Sequence, residues 1–145
     1  MGGTSKMMLQ KTTYGQIEEL YLMCFRETCH RYIEKRNASQ YILQLLAQFE
    51  VLTEVRNDKV VGCIIYQIFQ NPLHNEKQCF IHEWFIHPDY RNKTVGMKLY
   101  KRLCEKGKEL GCARLIGSSC NNQMIRTIER RNAAKVVAKI FEKEL

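Results

Sequence analysis

The amino-acid sequence predicts an α/β chain, and three observations carry that prediction. Apolar residues recur at helical spacing near the start, alternate with other side chains through the middle, and then return to helical spacing. A strand-like run, Ile81 to Ile86, passes through a short turn directly into an amphipathic helical pattern from about Val95 to Leu110. At 145 residues with 45% hydrophobic content, the chain can bury one core but not two, so residues 1–145 read as a single domain.

Taken in order, Met7 to Lys11 has the form of a short first strand. Thr13-Tyr14-Gly15-Gln16 matches a capping box. Ile17, Leu20, Tyr21, Cys24, Phe25 and Tyr32 then share a helical face, which predicts a helix to about Lys35. Ser39 is placed to cap a second helix carrying Ile42, Leu45, Leu46 and Phe49. Val51, Thr53 and Val55 alternate as a strand, Asn57-Asp58 supplies a tight turn, and Val60 to Phe69 returns, so this stretch reads as a hairpin. A loop through Asn71-Pro72, His74 and Glu76 leads to a strand over Cys79 to His87. After the helix from Val95, Gly111 is the expected stop. Ala113 to Ile116 reads as a strand, Asn121 to Arg131 as a helix and Lys135 to Glu142 as a final strand. The order is β-α-α-β-β-β-α-β-α-β.

Composition excludes several classes. No apolar run approaches the ~20 residues of a membrane-spanning helix, and the start Met1-Gly2-Gly3-Thr4-Ser5-Lys6 lacks a signal peptide's apolar stretch. A cytoplasmic protein is the expectation. The seven cysteines are odd in number and irregular in spacing, with no C-x-x-C pair, so no disulfide framework or zinc site is signalled. Cys120 alone sits in a polar turn, with no identifiable base beside it. The net charge of +8 favours polyanionic partners: nucleic acid, an acidic protein or a phosphorylated cofactor.

The turn His87-Pro88-Asp89-Tyr90-Arg91-Asn92-Lys93-Thr94-Val95-Gly96-Met97 carries the chemistry. At a strand-to-helix turn several N–H groups lack helical partners and lie beside the positive end of the helix dipole, which suits a phosphate. The stretch resembles the acyl-CoA pyrophosphate loop of the GNAT N-acetyltransferases, with Arg91, Gly96 and the strand end Ile86-His87-Pro88 matching. Thr94 stands where that family usually has its first glycine. A β-branched residue at positive φ costs about 1–3 kcal/mol.

The resemblance covers essentially the whole chain and implies the GNAT fold, a mixed central sheet with helices on both faces. The family usually has two strands after the last helix, and only one is readable here. The implied reaction is acetyl transfer from acetyl-CoA to an amine-bearing acceptor. Backbone N–H groups of Asn92, Lys93, Thr94, Val95, Gly96 and Met97 would cradle the pyrophosphate, and a branched side chain at Gly96 would fill that seat. Arg91 and Lys93 would add charge, with Lys98 or Lys101 reaching an outer phosphate. Trp84 and Ile86 would pair with the pantetheine arm through their backbone, and a strand N–H near Phe85 or Ile86 would face the carbonyl oxygen. Asn121 occupies the position of a pantetheine contact. Strand alternation puts His82 on the face of Trp84, as general base, and Glu83 with Phe85 on the other face; a bulge would exchange the roles of His82 and Glu83. Ile128 replaces the tyrosine that family members use to protonate the thiolate. The acceptor groove would lie near Glu34 to Ser39 and the final strands.

Two other classes stay open. A catalytically silent GNAT-fold protein acting by protein contact is favoured by Thr94, Ile128 and the short C-terminus. A nucleic-acid-binding domain is favoured by charge alone, without a supporting motif. No metal site is implied, and a homodimer is compatible with the pattern.

Overall fold

A computed structural model of the chain describes residues 2–28, 31–91, 94–118, 122–131, 133–138 and 141–145, with the side chains of these except at 2–12, 28 and 122–125. The elements are α1 (Gly2–Thr28), α2 (Lys35–Gln48), β1 (Glu50–Arg56), β2 (Lys59–Asn71), β3 (Glu76–Ile86), a 3₁₀ turn at Pro88–Tyr90, α3 (Val95–Glu109), β4 (Arg114–Gly117) and α4 (Asn122–Arg130). The sheet order is β1-β2-β3-β4. β1–β2 and β2–β3 are antiparallel and β3–β4 is parallel, so the sheet is mixed. The parallel step needs a crossover, and α3 provides it.

Helices cover both faces. Ile17, Tyr21 and Phe25 of α1 and Ile42 and Leu46 of α2 pack on Cys63, Ile65 and Phe85. On the opposite face Val95, Leu99 and Leu103 of α3, one turn apart, pack on Ile64, Tyr66 and Ile86. Burying each such side chain is worth about 1.5–3 kcal/mol, so these two layers hold the sheet. The β1–β2 turn is as its sequence implies: Asn57 and Asp58 have φ of 52° and 61°, the left-handed pair of a tight hairpin. Gly111, at φ 81°, follows α3.

Four elements differ from the sequence expectations. Met7 to Lys11 lies inside α1 instead of forming a strand; all five are good helix formers, with no proline to stop the helix. The motif Thr13 to Gln16 is therefore not a helix start. Gln16 instead accepts from the Val60 N–H at 2.8 Å, tying α1 to the hairpin. α1 ends at Thr28, short of Lys35, and Tyr32 is exposed. Ser39 lies within α2, where its hydroxyl donates to Glu18 at 2.7 Å.

The final strand over Lys135 to Glu142 is not formed among the described residues. Ala133 is held by the Tyr100 hydroxyl of α3 at 2.8 Å, whereas Glu142 pairs with Arg31 beyond α1. Val137 and Phe141 are exposed.

Candidate active site

The site begins where β4 leaves β3. Their ladder runs only from Gln78↔Arg114 to Ile81↔Gly117, so the last five residues of β3 pair with no strand on that side among the described residues. On the other side β3 continues against β2, through Ile65↔Glu83, Cys63↔Phe85 and Gly62↔Ile86. The His87 N–H donates to the Val61 carbonyl at 2.8 Å, which fixes the alternation. Phe85 and Glu83 turn their backbone groups toward β2, and Trp84 and Ile86 turn theirs into the open side. These are the two residues expected to offer a strand edge. Phe85 is not available as a cleft donor, because its N–H faces Cys63.

The expected alternation of side chains fails at one point. Ile65 pairs with Glu83 but Tyr66 pairs with Ile81, so His82 is an extra residue in a β-bulge. His82 consequently leaves the face of Trp84. It stacks on Phe49 of the α2 side with ring centroids 4.0 Å apart, and its Nε2 lies 3.0 Å from Gln67 Oε1. Burial lowers its pKa, which keeps the ring neutral. Glu83 faces the same side, where the Tyr41 hydroxyl of α2 donates to its carboxylate at 2.9 Å. Burial pushes the Glu83 carboxyl above the ordinary carboxylate value, with the Tyr41 hydrogen bond acting against that shift. The bulge thus brings both candidate bases to the α1–α2 face.

At the start of α3 the first helical bond is Lys98 N–H to the Thr94 carbonyl, at 3.0 Å. The N–H groups of Val95, Gly96 and Met97 therefore precede the helical ladder and lie beside its positive end. Thr94 has φ 64°, so this β-branched residue does occupy the left-handed region expected of a glycine. Gly96 packs against the sheet. A Cβ there would meet Ile86 at 3.5 Å and Trp84 at 3.7 Å, so it points at β3. The tight contact is at Gly62 of β2, where a Cβ would come within 2.9 Å of both Ile86 and Leu99. This glycine lets α3 sit close to the sheet.

Arg91 is held back from the loop. Its guanidinium pairs with Glu27 of α1, and its Nε donates to the Ile86 carbonyl at 3.2 Å. Arg91 thereby fastens the turn to α1. Lys98 is likewise engaged, 3.3 Å from Glu54, a buried carboxylate of β1 that also receives Arg56 at 3.0 Å and Arg102 at 3.5 Å. Burial alone would raise the Glu54 carboxyl, but the hydrogen bonds and charges of Arg56 and Lys98 outweigh it and its pKa falls. Trp84 stacks on Tyr100 of α3 at 5.4 Å. Asn92, Lys93, Asn121 and Cys120 lie outside the described residues. Ile128 lies on α4, half-buried. Lys101 is exposed and enters no described contact with the loop.

Sequence reasoning missed Tyr41, Gly62, Glu27 and Glu54. Glu54 had a signal, an acid two residues after Leu52 on an inward-facing strand position. The other three depend on partners more than twenty residues away.

No curated sequence matches the chain. In structure it is similar to a ribosomal-protein-alanine N-acetyltransferase from Brucella melitensis biovar Abortus 2308, with TM-score 0.72, 17% identity and coverage of 92% of this chain and 94% of that one. An acetyltransferase from Trypanosoma brucei gives TM-score 0.65 at 17% identity, covering 92% and 94%. An aminoglycoside acetyltransferase from an uncultured soil metagenomic sample gives 0.66 at 18% identity, covering 90% and 86%. At such identities these likenesses concern the fold. The sequence itself matches the Acetyltransferase (GNAT) family over residues 14–133, from within α1 to the residue that receives the Tyr100 hydroxyl. With a strand edge opened beside a helix N-terminus inside that span, the chain belongs to the GNAT acetyltransferase family.

Proposed function

We propose that the chain transfers the acetyl group of acetyl-CoA to the amine of an acceptor, with Glu83 as general base. The observation that carries this reading is the strand edge at Trp84 and the Ile86 N–H, next to the N–H groups of Val95 to Met97 that precede the helical ladder of α3. An extended amide-bearing arm ending in a pyrophosphate matches both at once. Glu83, half-buried and raised in pKa, accepts the proton from the attacking ammonium directly or through water. The amine forms a bond to the thioester carbon as the C–S bond breaks. Charge growing on the carbonyl oxygen is met by a cleft-facing N–H of Trp84 or Ile86. The nitrogen sheds its second proton to water and the departing thiolate takes one from water, since Ile128 has none to give. His82, neutral and bonded to Gln67, lines the same face.

Calorimetric titration with acetyl-CoA, followed by an assay of CoA release with a panel of amines, tests this reading. Absence of binding at millimolar cofactor sinks it. Binding without turnover of any amine supports the second reading, a silent member of the family, for which Ile128 is the motivating residue.

A further inference from the structure

We infer that β1 is a self-association edge: two copies of the chain pair their β1 strands antiparallel about a twofold axis at Thr53, joining two four-stranded sheets into one. β1 ends the sheet and pairs with β2 alone among the described residues. Cys63 and Ile65 of β2 turn their backbone groups toward Phe85 and Glu83 of β3, so the alternate residues Gly62 and Ile64 turn theirs toward β1. Their partners there are Glu54 and Leu52. Val51, Thr53 and Val55 therefore present their N–H and carbonyl groups outward. None of these N–H groups has a partner among the described residues. The strand, Glu-Val-Leu-Thr-Glu-Val-Arg, also lacks the proline or lysine that commonly guards an edge. The irregularity in the β1–β2 ladder leaves Val61 of β2 without a partner, so β1 itself runs straight. Val55 leaves a β-branched side chain 51% exposed at this edge.

A second copy is the occupant that fits, because the strand is complementary to itself. With the axis at Thr53, Val51 faces the partner's Val55 and Thr53 faces the partner's Thr53, so every outward residue exchanges hydrogen bonds. Val51 packs with the α1–α2 layer, which places these β-branched pairs on that face of the joined sheet. Leu52 packs with the α3 layer, and on its face exposed Glu50 meets the partner's Arg56. Arg56 already stands at the edge, 40% exposed and held by Glu54 at 3.0 Å. Moving the axis to Leu52 would instead set Glu50 against the partner's Glu54, and moving it to Glu54 would set that carboxylate against itself. Both shifts oppose like charges and leave outward groups unpaired. Arg102 donates to the Thr53 carbonyl at 3.2 Å and must turn aside, but it also lies 3.5 Å from Glu54 and keeps that carboxylate. The opening at Trp84 lies on β3, beyond β2, so the pairing does not depend on the acetyl-transfer reading.

Sedimentation of the full chain over about 1–500 μM tests the proposal, since an interface built on one short strand belongs to the weak class. The expected result is a reversible monomer–dimer equilibrium with no larger species, because twofold pairing uses up the edge. Thr53→Pro removes an N–H that makes no ladder bond within the chain, and Val55→Lys places a charge at an exposed position. Each should weaken association by at least about tenfold, and Val55→Lys carries the test if the proline variant fails to fold. Thr53→Cys reads the register: facing residues of a hydrogen-bonded antiparallel pair have Cα atoms about 5.5 Å apart, within disulfide reach. Under a mild thiol oxidant it should give a covalent dimer that neither the parent chain nor Val51→Cys gives. A chain that stays monomeric at the highest concentration overturns the inference. So does a dimer unaffected by Val55→Lys, or one cross-linked through Val51→Cys instead. A monomer that binds an isolated peptide of the β1 sequence assigns the edge to another polypeptide, and self-association is then wrong.

Discussion

Glu83 faces the α2 side because one extra residue in β3 rotates the strand. The two candidate bases then differ in their surroundings: His82 is stacked and hydrogen-bonded to Gln67, and Glu83 accepts from the Tyr41 hydroxyl. Glu83→Gln is expected to lower acetylation by at least about a hundredfold with unchanged CoA affinity, the range for losing a general base. His82→Ala should cost less, and the reverse ranking would return the role to His82. Because the base must be ionised, kcat/KM should rise with pH through a limb above the ordinary carboxylate value. Tyr41→Phe removes the hydrogen bond that favours the ionised form, so that limb should move to higher pH. A limb left in place would show that Glu83 is not the titrating group. At Thr94 the strain is already present without ligand, at φ 64°. Thr94→Gly should therefore raise stability by about 1 kcal/mol after glycine's own entropic cost, seen as a rise in melting temperature. Its CoA affinity should change little, since both states gain the same relief.

At the scale of elements, α3 must lie close enough to β2 for its first turn to sit beside the end of β3. Gly62→Val would push against Ile86 and Leu99 together and destabilise the fold by about 1–3 kcal/mol. CoA affinity should fall with it. Gly96→Ala, by contrast, should keep binding and gain helix propensity, because its Cβ finds ordinary contacts. Equal loss of affinity in both variants would place the phosphate seat against Gly96 after all. Glu54 joins β1 to α3, and Glu54→Gln should cost about 1–2 kcal/mol at neutral pH, discounted for the exposure of its cations. Its folded pKa is depressed, so this contribution is present above the ordinary carboxylate range and lost as pH falls through the lowered value. The variant and the parent should converge in acid. The helices α2 and α3 and the hairpin were legible because their apolar periods are long and their turn residues, Asn57, Asp58 and Gly111, are specific. The expected first and last strands are not formed among the described residues, because a short apolar run becomes a strand only where an edge receives it.

For the whole molecule, a ligand that binds the folded chain alone stabilises it by about 2.7 kcal/mol at one hundred times its Kd. Acetyl-CoA should accordingly raise the melting temperature by several degrees, and an oligonucleotide should not. A larger shift with oligonucleotide would assign the charge of +8 to nucleic acid. No described helix is long and apolar enough to cross a membrane. Cys24, Cys63 and Cys79 are buried and burial raises their thiols, so the chain should retain activity after mild alkylation of its accessible cysteines.

By itself the sequence determined α2, the hairpin and the strand-turn-helix unit, and the family resemblance pointed to Trp84 and Ile86 at the opening. The elements follow from local periodicity and turn chemistry, which each segment carries with it. Only the tertiary structure decided which face His82 and Glu83 occupy, that Arg91 and Lys98 are held by Glu27 and Glu54, and why Gly62 is a glycine. A bulge is a property of two strands in register, and an ion pair or a close packing contact needs a partner brought from elsewhere in the chain. No single segment contains that information.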